Sequence, residues 1–324
     1  MTARTRRAPL VAVLAAVSAL ALGACTSSGE IEKAAAADKG TAALTVDTSP
    51  QQNRVHTARD DEAIALLPAG PVDDGVLRVA TTPFSAPLDF YADDNATPIG
   101  SETDIAQLVA DALGLKLELV PTDWANWPLA TQSGDVDVTI SNVTVTEERK
   151  KLFDFSSYRV DNLGFLAKSG STLKVEKPAD VAGHRIAVGS GTNQEKILLA
   201  WDAQNRAAGL APVDVQYFQN DSDTTLALRS GRIDLSFGPN ATAAYKAATA
   251  PKDFQVVGTV NGGWPDTAQI AVATARGNGL APAITAALNA AIADGSYAKV
   301  LERWGLTSEA VEKSETNPPG LAAS

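Results

Sequence analysis

Residues 135–155, DVDVTISNVTVTEERKKLFDF, hold side chains that could grip an anion. Val136, Val138 and Ile140 alternate with polar residues, which is strand periodicity. The run turns polar at Ser141, Asn142 and Thr144, then enters Thr146-Glu147-Glu148-Arg149, which reads as the first turn of a short helix capped by Thr146. Hydroxyl and amide groups at a strand end, free N–H groups and dipole at a helix start, and a planar guanidinium can converge on one carboxylate. Taken alone, the stretch reads rather as the capped turn and solvated arginine of an ordinary surface.

A second place of the same kind lies downstream. Gly189-Ser190-Gly191-Thr192-Asn193-Gln194-Glu195 follows a β-branched run and opens an amphipathic helix through Ile197, Leu198 and Trp201. Thr192 and Glu195 have capping-box spacing, so this is a glycine-rich strand-to-helix turn; it lacks the Lys-Ser/Thr of a phosphate-binding loop. Trp124 and Trp127 sit in a polar loop, where an aromatic face suits an apolar or cationic group and the plain alternative is a lid on the core.

Other chemistry finds little support. His56 and His184 have no second His or Cys at ligand spacing, so no metal site is expected. Neither lies in the candidate loops, which leaves no Ser-His-Asp constellation, and no cofactor is implied.

The elements that must position these loops read as alternating strands and helices. Residues 75–80 form a strand leading into the Pro-rich loop of Thr82, Phe84, Ser85, Pro87 and Asp89; ligands of open α/β sheets sit at such strand ends. Ser101 is placed to cap a helix whose apolar face is Ile105, Leu108, Val109, Ala112 and Leu113, ended by Gly114. Strands follow near 115–120, 136–140, 162–168, 181–188, 213–218, 230–237, 255–260 and 267–273, and an Ala-rich helix spans 280–293.

The N-terminus reads as a lipoprotein signal, residues 1–24. Arg4, Arg6 and Arg7 precede an apolar run over 10–22, then Leu22-Gly23-Ala24-Cys25, with Cys25 the lipidation site. The run is shorter than the ~20 residues that span a bilayer. Cys25 is the only cysteine, so the domain must be held by its core. Removing a segment with three arginines and no acid takes the net charge from −11 to −14, which argues against nucleic acid and anionic lipid as partners. Residues 25–74 read mainly as a flexible tether, with a short helical piece possible near Ala63, and 307–324 as a polar tail.

The motifs, in order, resemble those of the polar amino-acid-binding proteins of ABC importers, solute-binding protein family 3. The resemblance rests on Ser133-Gly134, Asp137, Ser141 to Arg149, Phe153-Asp154-Phe155-Ser156-Ser157-Tyr158, Gly191-Thr192-Asn193-Gln194-Glu195 and Trp304-Gly305, and covers about 75–306. It implies a two-lobe α/β periplasmic-binding-protein fold of type II. Lobe 1 would be 75–165 with 268–306, lobe 2 would be 166–267, and two crossings would form the hinge. It implies a receptor rather than an enzyme. Arg149, Thr144, Asn142 and Ser141 would hold a ligand carboxylate from lobe 1, Gly191, Thr192 and Asn193 from lobe 2, with Trp124, Phe84 and Ser85 packing around it. Implied partners are a membrane permease and its ATPase, with the receptor monomeric and lipid-anchored on the outer face of the membrane. Exported cyclohexadienyl dehydratases share the fold and are the enzyme alternative.

One departure matters. Amino-acid binders of the family usually carry an Asp just past the strand at 233–237 to hold the ligand ammonium; Gly238-Pro239-Asn240 stands here. Asp89 or Asp266 must then supply the charge, or the ligand lacks a free α-ammonium, as in N-substituted amino acids and organic acids. A buried ammonium without a partner costs several kcal/mol.

Overall fold

The computed structural model describes residues 46–84, 86–218 and 220–322. The signal segment, Cys25 and Ser85 lie outside them. In chain order the elements are α1 (Asp61–Ile64), β1 (Val76–Thr81), β2 (Phe90–Tyr91), β3 (Pro98–Ile99), α2 (Ser101–Ala112), β4 (Lys116–Pro121), α3 (Trp127–Ser133) and β5 (Val138–Thr144). There follow β6 (Phe153–Lys168), β7 (Arg185–Val188), α4 (Asn193–Ala207), β8 (Asp214–Tyr217), α5 (Asp221–Ser230), β9 (Leu235–Pro239), α6 (Asn240–Thr249), β10 (Phe254–Asn261), β11 (Ala268–Ala275), α7 (Leu280–Ala293) and α8 (Ser296–Trp304).

Nine strands join in the order β4-β1-β5-β11-β6-β9-β7-β8, with β10 also on β6. Parallel pairs β1/β4 and β1/β5 build one half; β7/β8 and β7/β9 build the other. The sequence reading separates the Phe153–Tyr158 motif from a strand at 162–168. The structure makes them one strand of sixteen residues, β6, that belongs to both halves. Its partner changes midway: Asp161 is opposite Ala268 of β11, and Asn162 is opposite Asn261 of β10. The two chain crossings therefore run antiparallel, side by side, at 161–162 and 261–268.

Each half has its own core. In the first, α2, α7 and α8 bury Ile105, Leu108, Ile284, Leu288 and Trp304 against Leu77, Val79, Val138 and Ile140. In the second, Phe165 and Phe237 stack at 4.0 Å, and Trp201 packs on Phe165 and Trp264. The helix read as capped by Ser101 is instead entered through Gly100, at φ 135°, without a side-chain cap. A Cβ there would lie 2.2 Å from the Leu88 carbonyl oxygen, so the loop passes too close for any side chain.

Segments read from composition as tether and tail have partners. Arg54 donates to Asp104 at 2.8 Å, Arg303 donates to the Asn53 carbonyl, and Asp60 caps α1, whose Ala63 is buried. Beyond α8, Glu309 and Ser314 are buried, and Leu321 exchanges backbone hydrogen bonds with Val145 and Glu147.

Candidate functional site

β1 and β5 lie side by side in parallel, and β1 ends level with the start of the polar part of β5, so Thr82 and Ser141 meet. The Thr82 N–H donates to Ser141 Oγ at 3.2 Å, and the two hydroxyls are also hydrogen-bonded. Ser141 and Thr144 are buried, each 4% exposed. After β5 the chain does not begin an α-helix. Arg149–Lys151 is a single 3₁₀ turn, so the dipole contribution expected there is slight. Thr146 lies ahead of that turn, and its Oγ1 accepts from the Arg149 N–H at 3.1 Å.

The Arg149 side chain folds back along the loop. Its Nη1 donates to the Thr144 carbonyl at 2.8 Å, and its guanidinium carbon lies 5.6 Å and 5.9 Å from the rings of Trp124 and Trp127. Burial lowers the Arg149 pKa while the Asp161 charge opposes that shift; a guanidinium remains charged regardless. Among the described residues no carboxylate lies within ion-pair distance of it. Trp127 is 2% exposed and packs on Phe153 at 4.8 Å, a core lid, whereas Trp124 is half-buried and faces Arg149.

From the other half, Thr192 caps α4: its Oγ1 accepts from the Glu195 N–H and donates to the Gly189 carbonyl. Glu195 reaches back to the Gly191 N–H at 2.6 Å rather than to the capping residue itself. Asn193 is 7% exposed, and its amide donates to the Gly262 carbonyl at the second crossing. Lys196 of α4 pairs with Glu148 of the Arg149 loop at 2.6 Å, so the two loops face each other.

Of the expected ligand groups, Asn142 is otherwise engaged and Phe84 stands apart. Asn142 sits at φ 52°, its N–H donates to Glu102 and its Oδ1 accepts from Arg159 at 2.5 Å. Arg159 also bonds Glu102 and Glu309, and Tyr158 donates to Glu102. Burial alone would lower the Arg159 pKa; the two carboxylates more than offset it and hold the group charged. Phe84 is 48% exposed, apart from the buried groups.

Sequence reasoning missed Asp161. This carboxylate is 2% exposed and accepts from Thr144 Oγ1 at 2.7 Å. Burial pushes its pKa up to about 6 against the pull of the Thr144 hydroxyl and of Arg159. Asp89 and Asp266, the acids weighed from sequence, stand elsewhere. Asp89 is 2% exposed, and burial with the neighbouring charge of Glu102 raises its pKa well above its ordinary value; Asp266 is on an exposed turn.

This arrangement of loops at strand ends around a hinge has counterparts in known proteins. Over 161 residues the chain is 35% identical to the L-cystine-binding protein TcyJ of Escherichia coli K12, covering 49% of this chain and 57% of that protein, so the match spans little more than half of the relative. It is 24% identical over 261 residues to the arginine-binding protein ArgT of Corynebacterium glutamicum, covering 80% and 84%. An ancestral arginine-binding protein solved with arginine superposes with a TM-score of 0.62 at 31% identity, over 71% of this chain and 98% of that one. Residues 77–307 match the model of the bacterial extracellular solute-binding proteins, family 3, and so span the sheet, both crossings and both loops of the site. The chain belongs to that family.

Proposed function

We propose that the protein is the extracytoplasmic receptor of an ABC importer, taking a small amino acid or amino-acid-like solute by its carboxylate. The observation that carries this is Arg149. A largely enclosed guanidinium, held by the Thr144 carbonyl and two tryptophan rings, has no acidic partner among the described residues. A ligand carboxylate supplies one, in the bidentate geometry that guanidinium favours. In this reading Thr144 would border the ligand from the first half and Thr192 from the second, and the Trp124 face would pack on the ligand's body.

Ligand would be enclosed by rotation about the crossings, and the closed form would dock on a permease driven by an ATPase. The relatives' names support amino acids as the solute class. Export by the N-terminal signal, a lipid on Cys25, a monomeric state and a place on the outer membrane face complete the proposal. A thermal-shift panel of free, N-acylated and quaternary amino acids, organic acids and prephenate tests it. Stabilisation by a carboxylate-bearing amino acid is expected; conversion of prephenate to product would overturn it in favour of an enzyme.

A further inference from the structure

The chain lacks an acid at the end of β9 and the start of α6, where residues 238–240 are Gly, Pro and Asn. A buried carboxyl group stands instead at the hinge. Asp161 is the residue at which β6 changes partner from β11 to β10. Its backbone carbonyl accepts from the Gly262 N–H at 2.7 Å, which ties the first crossing to the second. A Cβ on residue 262 would lie 2.2 Å from the Asp161 carboxyl carbon, so a glycine is what leaves room for that group.

The surroundings of this carboxylate are unusual for a structural acid. It receives the Thr144 hydroxyl, while the Thr144 carbonyl receives Arg149. One threonine thus links the acid to the guanidinium that faces the carboxylate site. From the other half, Asn193 donates to Gly262, the residue packed on the same carboxyl. The charged groups acting on Asp161 are Arg159 on its own strand, Arg149 on the loop after β5 and Glu309 on the C-terminal segment. Arg159 is committed to Glu102 and Glu309, and among the described residues no cation comes within ion-pair distance of Asp161. A buried, ionisable carboxylate with one hydroxyl donor and no cation is costly unless a cation arrives.

We propose that Asp161 receives the ammonium of the ligand, so that Arg149 and Asp161 together select a zwitterionic free amino acid. This rests on the carboxylate reading of Arg149 and extends it. The acid missing at the end of β9 is replaced from the hinge, so the ligand need not lack an ammonium. Placing the acid at the crossing also couples charge neutralisation to hinge position, because lobe rotation changes the surroundings of residue 161 most directly. The raised pKa agrees with a group awaiting a cation.

The test is calorimetry with the twenty standard L-amino acids and L-cystine, and with the Nα-acetyl derivative of each that binds. The wild type is expected to bind a free amino acid and to reject its acetylated form. Asp161→Asn keeps an acceptor for Thr144 and should weaken the free amino acid by about 30-fold or more. A second readout needs no variant. At pH 6, binding to the wild type should release up to about half a proton, seen as a buffer-dependent heat, because an arriving cation drives Asp161 to its ionised form. Unchanged affinity in Asp161→Asn with binding lost in Arg149→Ala would overturn the role of Asp161 and leave the carboxylate reading intact. Loss in neither variant would overturn both. Binding without proton release, or binding confined to acetylated or quaternary compounds, would overturn the ammonium assignment alone.

Discussion

Arg159 and Glu309 form an ion pair sealed inside the protein, each side chain 2% exposed, and it fastens the C-terminal segment to the strand shared by the two half-sheets. Neutralising one partner of a buried pair leaves the other charge short of compensation. Glu309→Gln should destabilise the protein by about 3 kcal/mol, read from urea unfolding. A change below about 1 kcal/mol would mean that Glu102 and Asn142 alone satisfy Arg159.

The same segment holds Leu321 against Val145 and Glu147, on the loop that carries Arg149. Arg149 itself contributes to binding rather than to the fold, since it makes one side-chain hydrogen bond to the Thr144 carbonyl and no ion pair among the described residues. Arg149→Ala should abolish binding of any carboxylate ligand and change the unfolding free energy by less than about 1 kcal/mol. Arg149→Lys should not restore binding, because an ammonium offers neither the planar fork nor the stacking on Trp124. Restored affinity in the lysine variant would show that charge alone suffices.

Asp161 should make ligand-free stability depend on pH in an identifiable window. Its pKa of about 6 in the folded protein stands above the ~3.9 of an exposed aspartate. The folded form therefore holds a proton that the unfolded chain has already released. The group imposes no penalty below about pH 4, stability falls as pH rises from 4 to 6, and the loss is complete above the folded value. Asp161→Asn should stabilise the ligand-free protein by about 2–3 kcal/mol at pH 8 and have no effect near pH 3.5. Equal effects at both pH values would place the cause in packing and not in charge.

Much of this layout is legible in the chain. The strand before Ser141, the Thr192 bond to the Glu195 N–H and the Thr146 bond to the Arg149 N–H are local signals, decided within four residues; the structure has each, with the strand buried on both faces and the Glu195 half of the capping box turned to Gly191. Asn142 reads as a ligand group from its place in the loop, and its partner Arg159 is seventeen residues on, between the two segments that the sequence marks. Glu309 looked like tail for the same reason, with 150 residues between it and Arg159. Asp161 is invisible to periodicity: it is one polar residue in a strand, and its meaning comes from the change of partner there and from Thr144. Residues 46–74 were hidden by composition, since a few anchors such as Arg54 and Ala63 dock a stretch that is polar on average.

Lys196 and Glu148 join the two facing loops at 2.6 Å, yet their side chains are 47% and 60% exposed. An ion pair so open to water is worth about 0–1 kcal/mol and is screened by salt. Lys196→Ala should therefore speed ligand release by no more than about five-fold at low ionic strength, and the difference should vanish in 1 M salt. Stopped-flow release measured at both ionic strengths decides this. A larger, salt-insensitive effect would make Lys196 a ligand contact.

Gly262 and Gly191 separate two reasons for a glycine within one site. Gly191 has φ 71° with nothing within 4 Å of a built Cβ, so Gly191→Ala meets backbone strain alone, about 1 kcal/mol. Gly262 carries no such strain, but its Cβ would lie 2.2 Å from the Asp161 carboxyl carbon and 2.3 Å from Oδ2, the oxygen that receives Thr144. Either the carboxylate moves off the threonine or the second crossing moves off the first. Gly262→Ala should thus depress ligand affinity by more than its loss of stability accounts for, unlike Gly191→Ala, and should remove the proton release expected at pH 6. If the two variants lose affinity in proportion to stability, the crossing is only a scaffold. If Gly262→Ala alone loses both affinity and the proton signal, the position of the Asp161 carboxylate is what the ligand reads.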